Sequence, residues 1–212
     1  LMSPPYRYAQ VCAGVPRSGF PAERSLPFLP ALQLRTLLCL ADAPYDDATE
    51  QWIRESAVTV VRCELRANEE PLFATDHEAL SAALSCLLSE ERRPVLVHCL
   101  AGQRATGVLI GCMRRAQRWS LAAIFDEYRR YADKTASLLD LQTIELCDLE
   151  PFGARSKPHG ATGQEVPNAR IAEILSPPQS QAAEGRPEAT DSVAVKEVAV
   201  ARARGAPTRL FT

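Results

Sequence analysis

Long hydrophobic runs are missing from this sequence. Its longest uncharged apolar stretches, residues 37–41 and 108–113, are far shorter than the 18 or more residues that a membrane-spanning helix needs. The sequence therefore predicts no membrane association. A large charge of either sign is missing too, because the formal net charge is only −2. Such a chain has no general attraction for nucleic acid or anionic membranes, and we expect neither as a partner.

Metal-binding and disulfide patterns are also absent. The seven Cys and three His residues include no C-x-x-C pair and no His cluster at metal-ligand spacing. We therefore expect no metal and no cofactor, and we predict reduced thiols in a cytoplasmic protein, with the nucleus as the other compartment. The N-terminus lacks the apolar segment of a secretory signal and begins with Leu, which indicates a trimmed or incomplete chain.

The composition changes near residue 150. Residues 151–212 contain seven of the 16 Pro and no Trp, Tyr, Met or Cys. A segment of this composition cannot bury enough apolar surface to offset the entropy of ordering it. The sequence thus predicts a domain over residues 1–150 and a disordered tail over 151–212, with weak local order at 169–175 and 193–201.

Short apolar runs alternate with helical patterns in the predicted domain. Partly β-branched runs bounded by turn residues predict buried strands at 34–40, 58–65 and 94–99. Helices are predicted at 46–56, 76–89, 106–118, 121–132 and 138–149, with Thr75 or Asp76 capping the second and Ser120 the fourth. This βαβαβ order predicts an α/β fold whose mostly parallel sheet is flanked by helices.

The chemically distinctive stretch is residues 95–112. It places Cys99 at the end of a buried strand, before a short loop with Gly102 and a helix predicted to begin at Thr106. A loop at a helix N-terminus directs several backbone N–H groups and the helix dipole at one point, which suits a phosphate. The same field favours the thiolate form of Cys99, so this residue is a candidate nucleophile.

This stretch resembles the signature loop of cysteine-dependent protein tyrosine phosphatases, His-Cys-x5-Arg-Ser/Thr-Gly. More specifically, residues 8–149 are similar to the atypical dual-specificity phosphatases of plants and fungi. The similarity extends beyond the loop to four further segments: Arg-Ser-Gly-Phe-Pro at 17–21, Phe-Leu at 28–29, Asn-Glu-Glu-Pro at 68–71 and the long stretch 110–132. The series, in order and at compatible spacing, implies a dual-specificity-type phosphatase fold.

The resemblance also implies roles in a two-step reaction through a phosphocysteine that needs no metal. Cys99 would be the nucleophile, His98 would tune and position it, and Thr106 would hydrogen-bond the sulfur and help expel it. Glu70 is the first candidate for the general acid, with Glu69 and Asp76 as alternatives. The backbone amides of the loop would bind the phosphate oxygens: Leu100, Ala101, Gly102, Gln103, Arg104 and Ala105. The implied substrates are inositol pyrophosphates and phosphotyrosine-type esters.

The sequence departs from the signature at one decisive position. Ala105 stands where the signature has Arg, whose bidentate fork binds two phosphate oxygens. Removing a fixed oxyanion donor costs about 10²–10³ in rate, and a positioned Arg in phosphoryl transfer is worth about 10³–10⁵. We therefore expect severely impaired hydrolysis. Arg104, one place early, is the only nearby candidate for compensation, although neighbouring residues of a tight loop point in different directions.

Three interpretations remain open. The first is a phosphatase of weakened activity that acts on phosphoanhydrides or phosphomonoesters through Cys99. The second is a pseudophosphatase that binds phosphorylated small molecules or phosphoproteins, or serves as a regulatory subunit for a protein partner. The third is a redox sensor that uses the Cys99 thiol. The remaining buried thiols are interpreted as small core residues; Cys112 packs inside a helix, with a disulfide to Cys99 as the alternative.

Overall fold

A mixed sheet organises the chain. The computed structural model describes residues 3–66, 75–152 and 196–198. The strands follow the order β1-β2-β5-β3-β4-β6 across the sheet, with β2, β5, β3 and β4 parallel and the two edge strands antiparallel. Their bounds are β1 Ala9–Cys12, β2 Val15–Ser18, β3 Thr36–Cys39, β4 Thr59–Arg62, β5 Val95–His98 and β6 Lys196–Val198. The predicted mostly parallel α/β fold is therefore confirmed.

Within the described residues, five α-helices cover the two faces of the sheet: α1 Asp47–Ser56, α2 His77–Leu88, α3 Arg104–Ala116, α4 Leu121–Ala132 and α5 Leu138–Leu146. The side chains of Asp46, Asp76, Ser120 and Ser137 accept hydrogen bonds from first-turn amides of α1, α2, α4 and α5. These caps satisfy N–H groups that have no partner within a helix. The predicted caps Asp76 and Ser120 are thereby confirmed.

The apolar core lies in two clusters, one on each face of the sheet. The larger joins the sheet to the inner faces of α2, α3, α4 and α5, with Leu84, Val97, Leu109 and Ile144 among its fully buried members. The smaller lies on the opposite face around Ile53 of α1. No helix of the described residues is long and apolar enough to cross a membrane.

Three predicted helix boundaries were wrong. Helix α3 begins at Arg104 rather than Thr106 and ends at Ala116 rather than Arg118, where a positive φ of 63° breaks the helical backbone. Helix α5 ends at Leu146 rather than at residue 149, because Cys147 has an extended backbone. The Arg115 guanidinium donates to the carbonyl oxygens of Ile144 and Cys147 at 3.0 and 3.1 Å, which caps this end of α5.

The hairpin of β1 and β2 was not predicted, although Gly14, with φ of +71°, supplies its turn. Strand β6 pairs with β4 within the stretch 193–201 for which weak order was predicted. Most of 153–212 lies outside the described residues, so the boundary near residue 150 stays a prediction. Because β2 and β5 are parallel neighbours with Ser18 opposite His98, Gly19 and Cys99 leave the sheet side by side.

Candidate phosphate-binding site at Cys99

Cys99 follows β5 directly and lies at the carboxyl edge of the parallel strands, where α/β proteins commonly bind ligands. Its side chain is 8% exposed, whereas Leu100 next to it is 65% exposed. The loop therefore passes from the core to the surface within one residue. A nearly buried thiol at the edge of a loop can still meet a small anion.

The loop from Leu100 to Gln103 is held in place by the end of β2. Phe20 donates its backbone N–H to the carbonyl oxygen of Leu100 at 3.0 Å. Gly102 has φ of +67°, and a Cβ at this position would lie 2.6 Å from the backbone nitrogen of Gly19 and 2.7 Å from the carbonyl carbon of Ser18. Only glycine fits such a contact. The predicted loop glycine is therefore essential to how the loop packs.

The backbone amides of this loop remain available to a ligand. The first helical hydrogen bond runs from Gly107 N–H to the carbonyl oxygen of Gln103 at 2.8 Å. Among the residues that the structure describes, no hydrogen-bond acceptor is present for the amides that precede it, namely those of Leu100, Ala101, Gly102, Gln103, Ala105 and Thr106. Unpaired N–H groups at the start of a helix are suited to a tetrahedral oxyanion.

His98 ends β5 as a fully buried, neutral side chain. Its Nε2 is 2.8 Å from the hydroxyl of Tyr45, and its ring meets that of Phe20 edge to face at 5.2 Å. Burial, with a smaller effect of the nearby Arg62 charge, lowers the pKa of His98 to about 3. A neutral imidazole brings no positive charge to Cys99. These contacts fix the orientation of the His98 ring, and its role toward Cys99 stays a prediction.

Arg17 is a cation beneath the loop that the sequence analysis did not assign to the site. It is fully buried on β2, its Nη2 donates to the carbonyl oxygen of Gly102 at 2.9 Å, and its guanidinium lies 3.8 Å from the ring centre of Tyr131. Its Nε and Nη1 have no hydrogen-bond partner within the described part of the chain. Burial lowers the pKa of Arg17 to about 10, while Tyr131, Glu127 and Cys99 oppose that effect electrostatically. The side chain is thus charged at neutral pH and interacts with Cys99.

The signal for Arg17 was an arginine within a short run that is otherwise apolar or small, Val15-Pro-Arg-Ser-Gly19. A charged residue is rarely buried completely unless something pairs with it. Sequence alone does not show that this run is a strand beside β5. Without that placement, the proximity of Arg17 to the loop could not be deduced.

Arg104 directs its guanidinium to helix α5. Its Nε lies 2.7 Å from Oδ2 of Asp140 and its Nη2 lies 3.1 Å from Oδ1. The hydroxyl of Tyr128 donates to the same carboxylate at 2.5 Å. The hydrogen bond to Asp140 raises the pKa of Arg104, despite partial burial. The fork that was considered as compensation for Ala105 therefore binds a carboxylate of the protein itself.

Ala105 and Thr106 lie in the first turn of α3 rather than in the loop. Ala105 is buried and belongs to the larger apolar cluster. Thr106 is also buried, and its Oγ1 has no hydrogen-bond partner among the described residues, so the bond to the Cys99 sulfur that the resemblance implies is not formed in this structure. The side chains of this turn supply a methyl group and a hydroxyl, with no cation from position 105.

The general acid is not located by the structure. Glu70, the first candidate, and Glu69 both lie outside the described residues. The third candidate, Asp76, accepts hydrogen bonds from the amides of Glu78 and Ala79 at 2.9 and 3.3 Å. It thus acts as the cap of α2. Over residues 3–66 and 75–152, no group of three or more His, Cys, Asp or Glu could hold a metal ion.

Comparison with known proteins identifies the family. A family model described as "Tyrosine phosphatase family" matches residues 2–162. The chain belongs to this family. Among curated proteins, it is 39% identical over 149 residues to inositol diphosphatase DSP1 of Oryza sativa subsp. japonica, covering 70% of this chain and 67% of that protein. Inositol diphosphatase DSP4 of Arabidopsis thaliana is 37% identical over 149 residues, covering 70% of this chain and 75% of its own.

A solved structure supports the same assignment. The core catalytic domain of the PP-IP phosphatase SIW14 from S. cerevisiae, in complex with citrate, superposes with a TM-score of 0.67 at 33% identity, covering 71% of this chain and 91% of that one. The predicted resemblance to the plant and fungal atypical dual-specificity phosphatases is confirmed. So is the phosphatase-like fold.

Proposed function

We propose that this chain binds phosphorylated ligands in the Cys99 loop without hydrolysing them. The observation that carries the proposal is the pairing of Arg104 with Asp140, at 2.7 and 3.1 Å, next to a buried Ala105. The only Arg of the loop region is engaged by a carboxylate, and the next residue cannot bind phosphate through its side chain. A pseudophosphatase is the function that this arrangement supports best.

Binding and turnover depend on different groups of this site. The amides of the loop and the positive end of α3 attract an oxyanion in its ground state. The charge of Arg17 beneath the loop adds to that attraction without needing to contact the ligand. Turnover additionally requires a guanidinium fork on the transferring phosphoryl group, for which a backbone amide is no substitute. The site thus retains the groups that favour ligand binding and lacks the guanidinium that would accelerate hydrolysis.

The proposed ligands are soluble phosphorylated small molecules of the inositol pyrophosphate or phosphotyrosine type. The two plant relatives are named inositol diphosphatases, and the yeast structure is that of a PP-IP phosphatase. Those names support the ligand class without specifying one ligand for this chain. A phosphoprotein or regulatory protein partner would use the same loop. The seven free cysteines support a reducing compartment, and we propose the cytoplasm.

A second candidate function is a weakened phosphatase that still turns over through Cys99. It is favoured by the two unpaired nitrogens of the buried Arg17 guanidinium, which carries a charge close to the sulfur. Such a charge stabilises a phosphoryl group less well than a fork on its oxygens, because a bidentate pair adds geometry to charge. On this reading the rate is low but depends on Cys99 and Arg17.

Calorimetry and phosphate release separate these two candidates. The full chain is titrated with inorganic phosphate, orthovanadate and an inositol pyrophosphate, and phosphate release is measured with the inositol pyrophosphate and an aryl phosphate. The variants are Cys99→Ser, which keeps the loop, and Arg17→Met, which keeps the length and removes the charge. We expect heat of binding in the wild type and in Cys99→Ser, at least about tenfold weaker affinity in Arg17→Met, and equal background release in wild type and Cys99→Ser.

Each other outcome contradicts part of the proposal. Release that occurs in the wild type and disappears in Cys99→Ser establishes the weakened phosphatase instead. Absence of heat with all three ligands overturns phosphate binding itself. Circular dichroism of each variant distinguishes loss of the site from loss of the fold.

A further inference from the structure

A pair of cysteines, Cys112 and Cys147, lies away from Cys99 where α3 packs against the end of α5. Helix α3 approaches α5 closely at Gly111, since a Cβ at that position would lie 2.7 Å from Cδ1 of Ile144. Cys112 follows Gly111 on α3, and Cys147 follows Ile144 by three residues. Arg115, one turn after Cys112 on α3, contacts the Cys147 sulfur, and the thiols of Cys112 and Cys147 interact with each other. The close helix contact therefore brings two cysteines together that are 35 positions apart in the chain.

Arg115 adds a positive charge to one member of this pair. Its Nη1 lies 3.5 Å from Sγ of Cys147 and donates to the carbonyl oxygens of Ile144 and Cys147. Because these two carbonyls fix the guanidinium, the charge stays next to the sulfur. A nearby cation stabilises a thiolate and so raises the reactivity of the thiol.

The two sulfurs differ in environment. Interaction with Cys112 and with the Arg115 charge lowers the pKa of Cys147 despite its burial, whereas interaction with Cys147 and burial raise the pKa of Cys112 well above its ordinary value. Cys147 is 6% exposed and Cys112 is fully buried. An oxidant from solvent therefore meets Cys147 first, beside the Arg115 guanidinium, and Cys112 lies behind it as a neighbouring thiol.

We propose that Cys147 and Cys112 form a dithiol site that hydroperoxides oxidise to a disulfide, independently of Cys99. In the first step the Cys147 thiolate attacks the outer oxygen of a hydroperoxide, and the O–O bond breaks to release an alcohol or water after protonation. The product is a sulfenic acid on Cys147. In the second step the sulfur of Cys112 attacks that of Cys147, and the hydroxide leaves with the Cys112 proton as water. Two thiols lose two electrons and the hydroperoxide gains them.

Cys39 provides a contrast within the same chain. Its sulfur also lies near a guanidinium, at 3.8 Å from Nη1 of Arg62. Its thiol, however, hydrogen-bonds the carbonyl oxygen of Ala41, and burial raises its pKa. A neighbouring cation alone is therefore insufficient to make a thiol of this chain acidic. Cys147 differs because it also interacts with a second thiol.

The experiment uses the full chain with hydrogen peroxide as the oxidant. Reduced protein is exposed to peroxide, quenched with N-ethylmaleimide under denaturing conditions, digested and mapped by mass spectrometry. We expect a peptide pair linked through Cys112 and Cys147, 2 Da lighter than the two thiols, in wild type, Cys99→Ser and Cys39→Ser alike. In Cys112→Ala, with native circular dichroism, we expect a dimedone adduct on Cys147.

Two results would overturn the assignment. One is alkylation of both Cys112 and Cys147 after peroxide treatment in the wild type, which needs no variant and no assumption about its folding. The other is a disulfide that includes Cys99, which would make the phosphate loop the redox centre instead. Because neither readout involves phosphate, failure here is distinguishable from failure of the proposed ligand binding.

Discussion

Arg104 and Asp140 form a bidentate ion pair that joins the first turn of α3 to the first turn of α5. The carboxylate is fully buried and also accepts the Tyr128 hydroxyl, whose oxygen in turn accepts the backbone N–H of Ser137. The pair is thus the centre of a polar network within the larger apolar cluster. It holds the start of α3 in place and keeps the Arg104 guanidinium away from any ligand.

Breaking this pair from either side should destabilise the protein. Arg104→Met leaves a buried carboxylate without its cation, and Asp140→Leu leaves the guanidinium without its anion, so we expect each to lower the free energy of unfolding by about 3 kcal/mol. The double variant should lose much less than the sum, because no uncompensated charge remains. Urea denaturation of the four proteins measures this coupling. Additive losses would show that the pair contributes nothing beyond packing.

Replacing Ala105 by Arg should create turnover. This single change supplies the missing fork while retaining the Arg104–Asp140 pair, and we expect phosphate release from an aryl phosphate to rise by about 10² or more. Ala105→Lys is the matched control, since it adds the same charge without bidentate geometry and should raise the rate far less. The gain must disappear when Cys99→Ser is added. Equal rates in the Arg and Lys variants would contradict the argument from fork geometry.

Gly102→Ala should abolish anion binding. Gly102 and Gly14 both have positive φ, at +67° and +71°, so alanine costs about 1 kcal/mol of backbone strain at either site. Only at Gly102 does the added Cβ meet backbone atoms, at 2.6 to 2.7 Å, whereas at Gly14 the contacts begin at 3.4 Å with a side chain. Calorimetry with phosphate should therefore show loss of affinity in Gly102→Ala and normal affinity in Gly14→Ala. Similar affinities in the two variants would mean that the contact with β2 does not shape the loop.

His98 should make the protein less stable in mild acid. Its pKa is about 3 in the folded state, against about 6.5 when unfolded. The unfolded chain therefore binds more protons between these values, and stability is complete above pH 6.5 and falls as the pH decreases toward 3, by about 1.4 kcal/mol per unit. His98→Gln, which can still hydrogen-bond Tyr45, should have a flatter profile. Urea midpoints between pH 7.5 and 5 measure the difference, and parallel profiles of the two proteins would refute it.

The three central strands β3, β4 and β5, two of the helix caps and the loop after β5 were predictable because they depend on local patterns. The run Val95-Leu-Val-His98 and the capping residues Asp76 and Ser120 indicated their elements directly. The same local pattern predicted Cys99 at the end of a strand, and the resemblance added the signature against which Ala105 is compared; the roles of both residues stay predictions. These parts of the fold and site required no knowledge of distant contacts.

The parts that were missed depend on residues far apart in the chain. Helix α3 starts two residues early where Arg104 reaches Asp140, 36 positions away. Helix α5 stops early where a guanidinium from α3 binds its last carbonyls. Arg17 belongs to the site only because β2 lies beside β5. Each of these contacts is set by tertiary packing, which a single sequence does not display.

The carbonyl oxygen of Gly102 accepts a hydrogen bond from Arg17, a residue 85 positions earlier. The proposed anion site is consequently assembled only once the hairpin of β1 and β2 has docked against the central strands. By linkage, a ligand that favours the closed loop also favours attachment of that hairpin. Ligand binding thus stabilises the contact between the β1–β2 hairpin and the central strands. A chain that lacks residues up to the end of β2 would keep Cys99 but lose the Arg17 hydrogen bond to the loop.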